Sequence, residues 1–429
     1  MDTDAQLRLK AYFDEIGNVL KIRNRRESFA TYAVGLLGDG DRKSAEPIAA
    51  RTCADPAKTD AAHQRLLHLL TDSTWSDREV RRVAARHGVS AMTEQEPIAT
   101  WIIDDTGFLK QGSHSVGVQR QYTGSAGKVA NCQVGVSLSV TTRSLHAPVD
   151  FELYLPQDWT DAPERRREAR IPDDLVFKTK PQLAIDMIDR AVADGLPLGI
   201  LLADSAYGES SDFRRHARAA GLDYAVGVHA TTTVWRIDTL RRRVGPPASV
   251  LDLGLALGRE SFRRTTWREG TRQSLSSRFA MKRVVIAHED GTVASEREDV
   301  WLLVEWPNGE PRPTKFTVAT LPRTMTRKQL VRIVKERYRT EQVYREMKGQ
   351  LGLDHFEGRR FPGWHHHVSA ALACYAFVVA ERARAFPPSA RGARAHRPHG
   401  RAARAALRRL LPDCAPRNRS ATRHLAPSL

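Results

Sequence analysis

Apolar residues recur at helical spacing through the first part of the chain. Leu7, Leu9, Tyr12, Phe13, Ile16 and Leu20 predict a first amphipathic helix, and Leu66, Leu67, Leu69 and Leu70 mark another apolar stretch. Gly38, Gly40 and Pro47 punctuate the segment between them. Thr74 to Glu79 offers cap residues ahead of a basic helix that runs through Val80 and Val83 and stops at Gly88. Residues 1–95 therefore read as a helical N-terminal domain.

From Ala99 the period changes. Thr100 to Ile103 predicts a strand, with Asp104 and Asp105 immediately after it. A Gly-rich stretch leads to a second strand at 131–142 and a third at 149–155, which suggests an antiparallel meander. Helix and strand then alternate. Pro181 opens a helix with Leu183, Met187, Ile188 and Val192 on one face and Gly195 as its stop. Leu198 to Ala203 is apolar throughout, as in a central strand buried on both faces, and it ends at Asp204. Ser211 to Ala220 predicts a helix and Tyr224 to Val228 a strand. The fold class is α/β, a mixed sheet with flanking helices, whose first part is 96–228. Residues 229–320 break the rhythm with β-like pieces and read as a β-rich insertion, after which 321–381 completes the core. There one helix is expected from Thr326, in a capping box with Gln329, through Lys348 to a stop at Gly349. Val368 to Ala380 suits a buried helix.

Charge sharpens this picture. The chain of 429 residues carries a formal net charge of +17, which points to a polyanionic partner, most often nucleic acid. That gives the N-terminal domain DNA binding as its expected role, with packing alone as the alternative. Residues 382–429 hold twelve arginines against one acid, Asp413, so most of the excess sits in an Arg/Ala/Pro-rich tail expected to be disordered. Cys53, Cys132, Cys374 and Cys414 form no C-x-x-C pair and fit a reducing cytoplasm. The N-terminus shows no signal pattern, and no apolar run reaches the ~18 residues that span a bilayer.

Asp104 and Asp204 each follow an apolar strand, the position where α/β sheets bind ligands. Alone, each reads more readily as a turn or cap residue. Arg337, Glu341 and Lys348 lie four and seven residues apart on one helical face, which alone reads as a surface ion-pair stripe. Asp105 competes with Asp104 as the first acid, but strand alternation sends the two side chains to opposite faces. His365-His366-His367 reads as a solvated turn rather than a metal site, having no partnered acids or cysteines at ligand spacing. Asp354 and Glu357 are surface or supporting residues.

Taken together, Asp104-Asp105-Thr106-Gly107, Ala203-Asp204-Ser205-Ala206-Tyr207-Gly208 and Arg337-x3-Glu341-x6-Lys348 resemble the DDE transposases of bacterial insertion sequences. They are most similar to the cut-and-paste branch whose third motif is Y-x2-R-x3-E-x6-K. Gly117 to Tyr122 and Asn131 to Val136 also resemble that group, and the likeness covers roughly residues 10–380. It departs at the leading tyrosine, where Val334 stands, with Tyr338 nearby but out of register. The resemblance implies a ribonuclease H-like fold with a β-rich insertion before the glutamate. It implies Asp104, Asp204 and Glu341 as catalytic metal ligands for two Mg2+ ions, with Mn2+ as a substitute. Arg337 and Lys348 would grip DNA phosphates. It further implies double-stranded DNA as partner, at the element ends and at the target, a homodimer on DNA, and a cytoplasmic, nucleoid-associated protein. An inactive DNA-binding remnant and a structure-specific nuclease are the alternative readings.

Overall fold

A computed structural model of the chain describes residues 3–238, 240, 242–269, 274–287 and 299–386. Five helices come first: α1 (Thr3–Leu20), α2 (Arg23–Leu37), α3 (Ala45–Thr52), α4 (Thr59–Thr71) and α5 (Asp77–Thr93). The apolar period in α1 is a true core face: Leu9, Tyr12, Ile16 and Leu20 are buried, while Leu7 is 61% exposed. Ser76 caps α5 by accepting the Glu79 N–H.

The sheet begins with β1 (Thr100–Leu109), β2 (Gln119–Thr123), β3 (Lys128–Thr141) and β4 (His146–Tyr154). Then come α6 (Gln157–Thr160), α7 (Pro163–Ala169), α8 (Lys180–Ala193), β5 (Ile200–Ala203), α9 (Ser205–Gly208), α10 (Ser211–Ala219) and β6 (Tyr224–Val228). The spatial order is β4-β3-β1-β5-β6, with β1, β5 and β6 parallel and β3 antiparallel to β1. This is the mixed α/β sheet expected of a ribonuclease H-like fold.

The first strand is longer than its apolar run. β3 is 14 residues long and pairs with β1 from Thr100↔Thr141 to Leu109↔Cys132, so Asp104 and Asp105 sit inside the strand instead of after it. On the other edge, β5 pairs with β1 only as far as Ile102↔Leu202. Asp104 therefore stands two residues beyond the point where the parallel pair ends, and the sheet opens there.

The next elements are β7 (Thr233–Ile237), β8 (Arg243–Ser249), α11 (Val250–Ala256), β9 (Arg263–Glu269), β10 (Ser274–Ile286), β11 (Asp299–Trp306) and β12 (Lys315–Ala319). β12 pairs antiparallel with β6, and β11, β10, β7 and β8 follow in order, so these strands extend the same sheet. Three helices close the described chain: α12 (Arg327–Lys335), α13 (Tyr338–Leu351) and α14 (Phe361–Ala385).

The single helix expected from 326 to 348 is two helices, interrupted at Glu336 and Arg337. Its capping box is present, but its stop is Gly352, at φ 61°, rather than Gly349. Only glycine takes that left-handed conformation without strain. α14 is buried nearly all round, against α5, α2, α4 and β4, as expected of a helix apolar on every side. Arg382 and Arg384, grouped with the tail by composition, form the last turn of α14, where Arg382 pairs with Glu346 at 2.9 Å. The rest of the Arg-rich tail and Cys414 lie outside the described residues. Cys53, Cys132 and Cys374 are free thiols. Among the described residues no helix is long and apolar enough to cross a membrane.

The three histidines are not a solvated turn. They lie in the first turns of α14 and are buried, His366 stacked on Trp75 at 3.9 Å. His367 Nδ1 accepts the Tyr32 hydroxyl at 2.7 Å, while its Nε2–H faces the carbonyls of Gly352 and Leu353. These partners suit the neutral ring, and burial brings its pKa down to about 4. Unfolded histidine titrates near ~6.5, so the stability His367 contributes is full above that pH and is lost as pH falls towards 4, by about 2 kcal/mol at pH 5. Urea midpoints at pH 7 and pH 5 test this. A His367→Gln protein, uncharged at both, should lose less stability between them than the parent does.

Candidate active site

Two aspartates from adjacent parallel strands meet at one cation. Asp104 on β1 is only 8% exposed and flanks the core, while Asp204 ends β5 and caps α9. Each uses one carboxylate oxygen locally. Asp104 Oδ1 accepts the Asp105 N–H at 2.9 Å, and Asp204 Oδ1 accepts the Ala206 N–H at 2.9 Å. Each then presents Oδ2 to Arg337 Nη1, at 3.0 Å from Asp104 and 3.8 Å from Asp204. The backbone thus fixes the orientation of both carboxylates, and their free oxygens converge.

Arg337 sits at the interruption between α12 and α13. Burial works to lower its pKa, but Asp104, Asp204 and Glu341 raise it above its ordinary value. Nη1 makes its two contacts as ion pairs, without a hydrogen bond of good geometry. Burial pushes the Asp104 carboxyl up to about 7, against the opposing pull of Arg337, with Asp204 and Asp105 adding to the rise. Glu341, in the first turn of α13, lines a cavity of about 380 Å³ together with Asp204, Gly227, Arg337 and Tyr338. Among the described residues no three His, Cys, Asp or Glu side chains are gathered tightly enough to form a ready-made metal cluster. Asp104 and Asp204 are brought together, and Glu341 faces the same cavity from the helix.

Lys348 lies about two turns beyond Glu341 along α13, held against β1. Its Nζ donates to Thr106 Oγ1 at 2.9 Å and to the Gly107 carbonyl at 2.6 Å, and it stands over the Phe108 ring at 5.0 Å. Burial lowers its pKa from the ordinary lysine value. Asp105 points to the opposite face, where Lys180 contacts it at 2.9 Å and the Tyr207 hydroxyl at 3.4 Å. Val334 also lines the cavity, and Tyr338 lies there one turn further on, covered by the Arg268 guanidinium at 4.5 Å.

Sequence reading missed the packing that holds Asp204. A Cβ at Gly227 would come within 2.8 Å of Ser205 N and 3.1 Å of Asp204 C, and one at Gly208 within 2.1 Å of the Gly227 carbonyl. α9 therefore rests directly on the β6 backbone. A glycine inside an apolar strand is the available signal for such a close approach. Gly227→Ala should push the Asp204 backbone away and slow any reaction that depends on its carboxylate by about a hundredfold, since small misplacements of reacting groups have that effect. Reaction rate measured beside a thermal melt separates this from unfolding. A folded variant that reacts at the parental rate rules the idea out.

Comparison with known proteins follows the same residues. A family model described as DDE superfamily endonuclease matches residues 15–274. A second, described as transposase DDE domain, matches residues 178–377. A probable transposase for insertion sequence element IS701 from Microchaete diplosiphon is 31% identical over 205 residues, covering 48% of this chain and 49% of the relative. The chain thus spans about half the length of the curated relative it matches.

Proposed function

The chain belongs to the DDE superfamily endonucleases, enzymes that use divalent metal ions, and on that premise we propose that it is a DNA transposase. It cuts double-stranded DNA at the ends of an insertion element and joins the freed 3′ ends to a target. One observation carries this reading: Asp104 and Asp204 each commit one oxygen to a backbone N–H and turn the other to a shared positive charge.

The donor set fits hard divalent cations. Two carboxylate oxygens already reach one cationic nitrogen, and a third carboxylate opens onto the adjoining cavity. Asp104 and Asp204 would hold the metal, Glu341 would complete a second position, and Mg2+, two ions with Mn2+ as a substitute, is the proposed occupant. When bound, such ions activate an oxygen nucleophile and relieve charge on the leaving oxygen. Asp105 is committed to Lys180 and Tyr207, which favours Asp104 as the first acid.

Arg337 balances the charge of both carboxylates. Cations held by those carboxylates would leave its planar fork free to take a DNA phosphate beside the scissile bond. Lys348 reaches DNA as a point charge from its seat on β1. The helical N-terminal segment contributes DNA binding, and joining two element ends calls for a dimer on DNA.

A strand-transfer assay with Mg2+ and duplexes carrying the ends of the element tests the proposal. Cleavage and joining that both vanish with EDTA are the expected result. End binding without cleavage would reveal an inactive remnant, and cleavage without joining a nuclease.

A further inference from the structure

We propose that the groove between the N-terminal helices and the entry to α14 binds the sugar-phosphate backbone of duplex DNA flanking the reacting bond. The inference rests on the transposase reading and adds a second, separate contact surface to it. The groove has a volume of about 900 Å³ and is formed by the α1–α2 junction, α4 and the segment Arg359–Arg360.

Its charge is one-sided. Arg25, Arg65, His68, Arg359 and Arg360 line it against a single acid, Asp72. Asp72 is already taken by Arg170 at 2.7 Å and Arg360 at 3.0 Å. Among the described residues Arg25 reaches only the Thr74 hydroxyl. Arg65 and Arg359 have no ion pair or side-chain hydrogen bond among the described residues, and both are exposed. Unpaired arginines on a convex face are ordinary solvated cations. Here they converge from two distant stretches of chain on one concavity, with Asn24 and Gln64 adding amide donors. Guanidinium forks and amides at that density match phosphate oxygens, and they read no base sequence.

The groove is also joined to the active site. β1 carries Asp104 and runs on to Leu109, a distance of about 17 Å at the usual rise per residue. Lys348 sits along that strand at Thr106 and Gly107. Beyond it, Lys110 donates to the Phe356 carbonyl, and the Val116 N–H donates to the Arg359 carbonyl at 3.1 Å. Arg337, Lys348, Lys110 and Arg359 therefore follow one another from the carboxylates to the groove. A duplex laid along this line would pass Lys348 and Lys110 before it meets the groove.

The test uses the full chain with Arg65→Glu, Arg359→Glu and the double variant, and an arbitrary-sequence duplex of about 30 base pairs as probe. Binding is measured by fluorescence anisotropy across a salt series, beside thermal melts. Each phosphate that is no longer neutralised should flatten the slope of log K against log salt by about 0.9, so the double variant should flatten it by about 1.8. Lys10→Glu, the same charge change on exposed α1, controls for net charge and should leave the slope near the parental value. A double variant that stays folded and keeps the parental slope overturns the groove assignment. The transposase reading would survive that result if Asp204→Asn still abolished cutting. A parent chain that fails to bind the duplex at all sinks both.

Discussion

Asp204→Asn and Glu341→Gln proteins will fold normally and cut DNA slower by a factor on the order of a thousand, the loss seen when one preorganised electrostatic group is removed from an active site. That factor corresponds to about 4 kcal/mol of transition-state stabilisation. The reasoning is atom by atom. In the Asp204→Asn protein the new side-chain carbonyl oxygen can still accept the Ala206 N–H, so the cap on α9 and the strand end persist. The atom replacing Oδ2 becomes an amide nitrogen, which repels a cation where the parent attracted one. Glu341→Gln likewise preserves the helix and removes the charge. Asp105→Asn should cost far less activity, because Asp105 faces Lys180 and Tyr207 on the other side of the strand. Cleavage rates with Mg2+ and circular-dichroism melts on all three variants decide the matter. Normal cutting by the Asp204→Asn protein would remove that residue from the site.

Arg81→Leu should destabilise the fold by about 3–5 kcal/mol, the usual cost of breaking a buried ion pair from one side. Arg81 lies on α5 with its side chain 4% exposed, 2.5 Å from Asp77, 2.9 Å from Asp150 and 3.2 Å from Glu152. It also donates to Ser369 on α14 at 3.0 Å. Arg190 on α8 shares Asp150 and Glu152, at 2.6 and 3.0 Å. Without Arg81, Asp150 and Glu152 are left to Arg190 alone among the described residues, and Asp77 keeps only His365, at 3.6 Å. Burial already holds Glu152 up at about 7, even with both arginines pulling it down. Removing one of them raises all three carboxyl pKa values in the folded state, Glu152 from above its ordinary value and Asp77 and Asp150 from below theirs. The folded variant then binds more protons than the folded parent, so its deficit should shrink as pH falls. Urea unfolding at pH 8 and pH 5.5 would show a larger gap from the parent at the higher pH. A gap that is equal at both, or small throughout, contradicts the account.

The strand end that carries the candidate acid Asp204 was legible because buried parallel strands are written as unbroken apolar runs. Ile200 to Ala203 stops at Asp204, and the structure has β5 end there. The extent of β1 was not legible, because it is set by a partner: β3 continues to pair past Ile103 and carries two acids into the ladder. Alternation along that strand separates Asp104 from Asp105 as expected, and Lys180 supplies the partner that sequence could not name. The histidine triplet misled because composition says nothing of which helix face is covered. Tyr32, Leu70 and Trp75, all far away in sequence, provide the partners that offset the cost of burial. The β character of the insertion was visible, whereas its continuity with the core sheet depends on β12 finding β6. Spacing along the sequence sets Arg337 beside Glu341 and Lys348, and the resemblance gives it DNA as its one partner. Its ion pairs with two aspartates became visible only in three dimensions.

The continuity of the sheet has a consequence for how the protein is made. β6 is followed by the whole set of added strands before β12 returns to pair with it, and only then do α12 and α13 bring Glu341 to the cavity. α14, which fills the core beneath α2, α4 and α5, is synthesised later still. A nascent chain emerging from the ribosome holds both aspartates early, without the glutamate and without the helix that steadies its own N-terminal segment. On the proposed assignment of Glu341, a nascent chain that stops before α13 carries two of the three carboxylates and lacks the third.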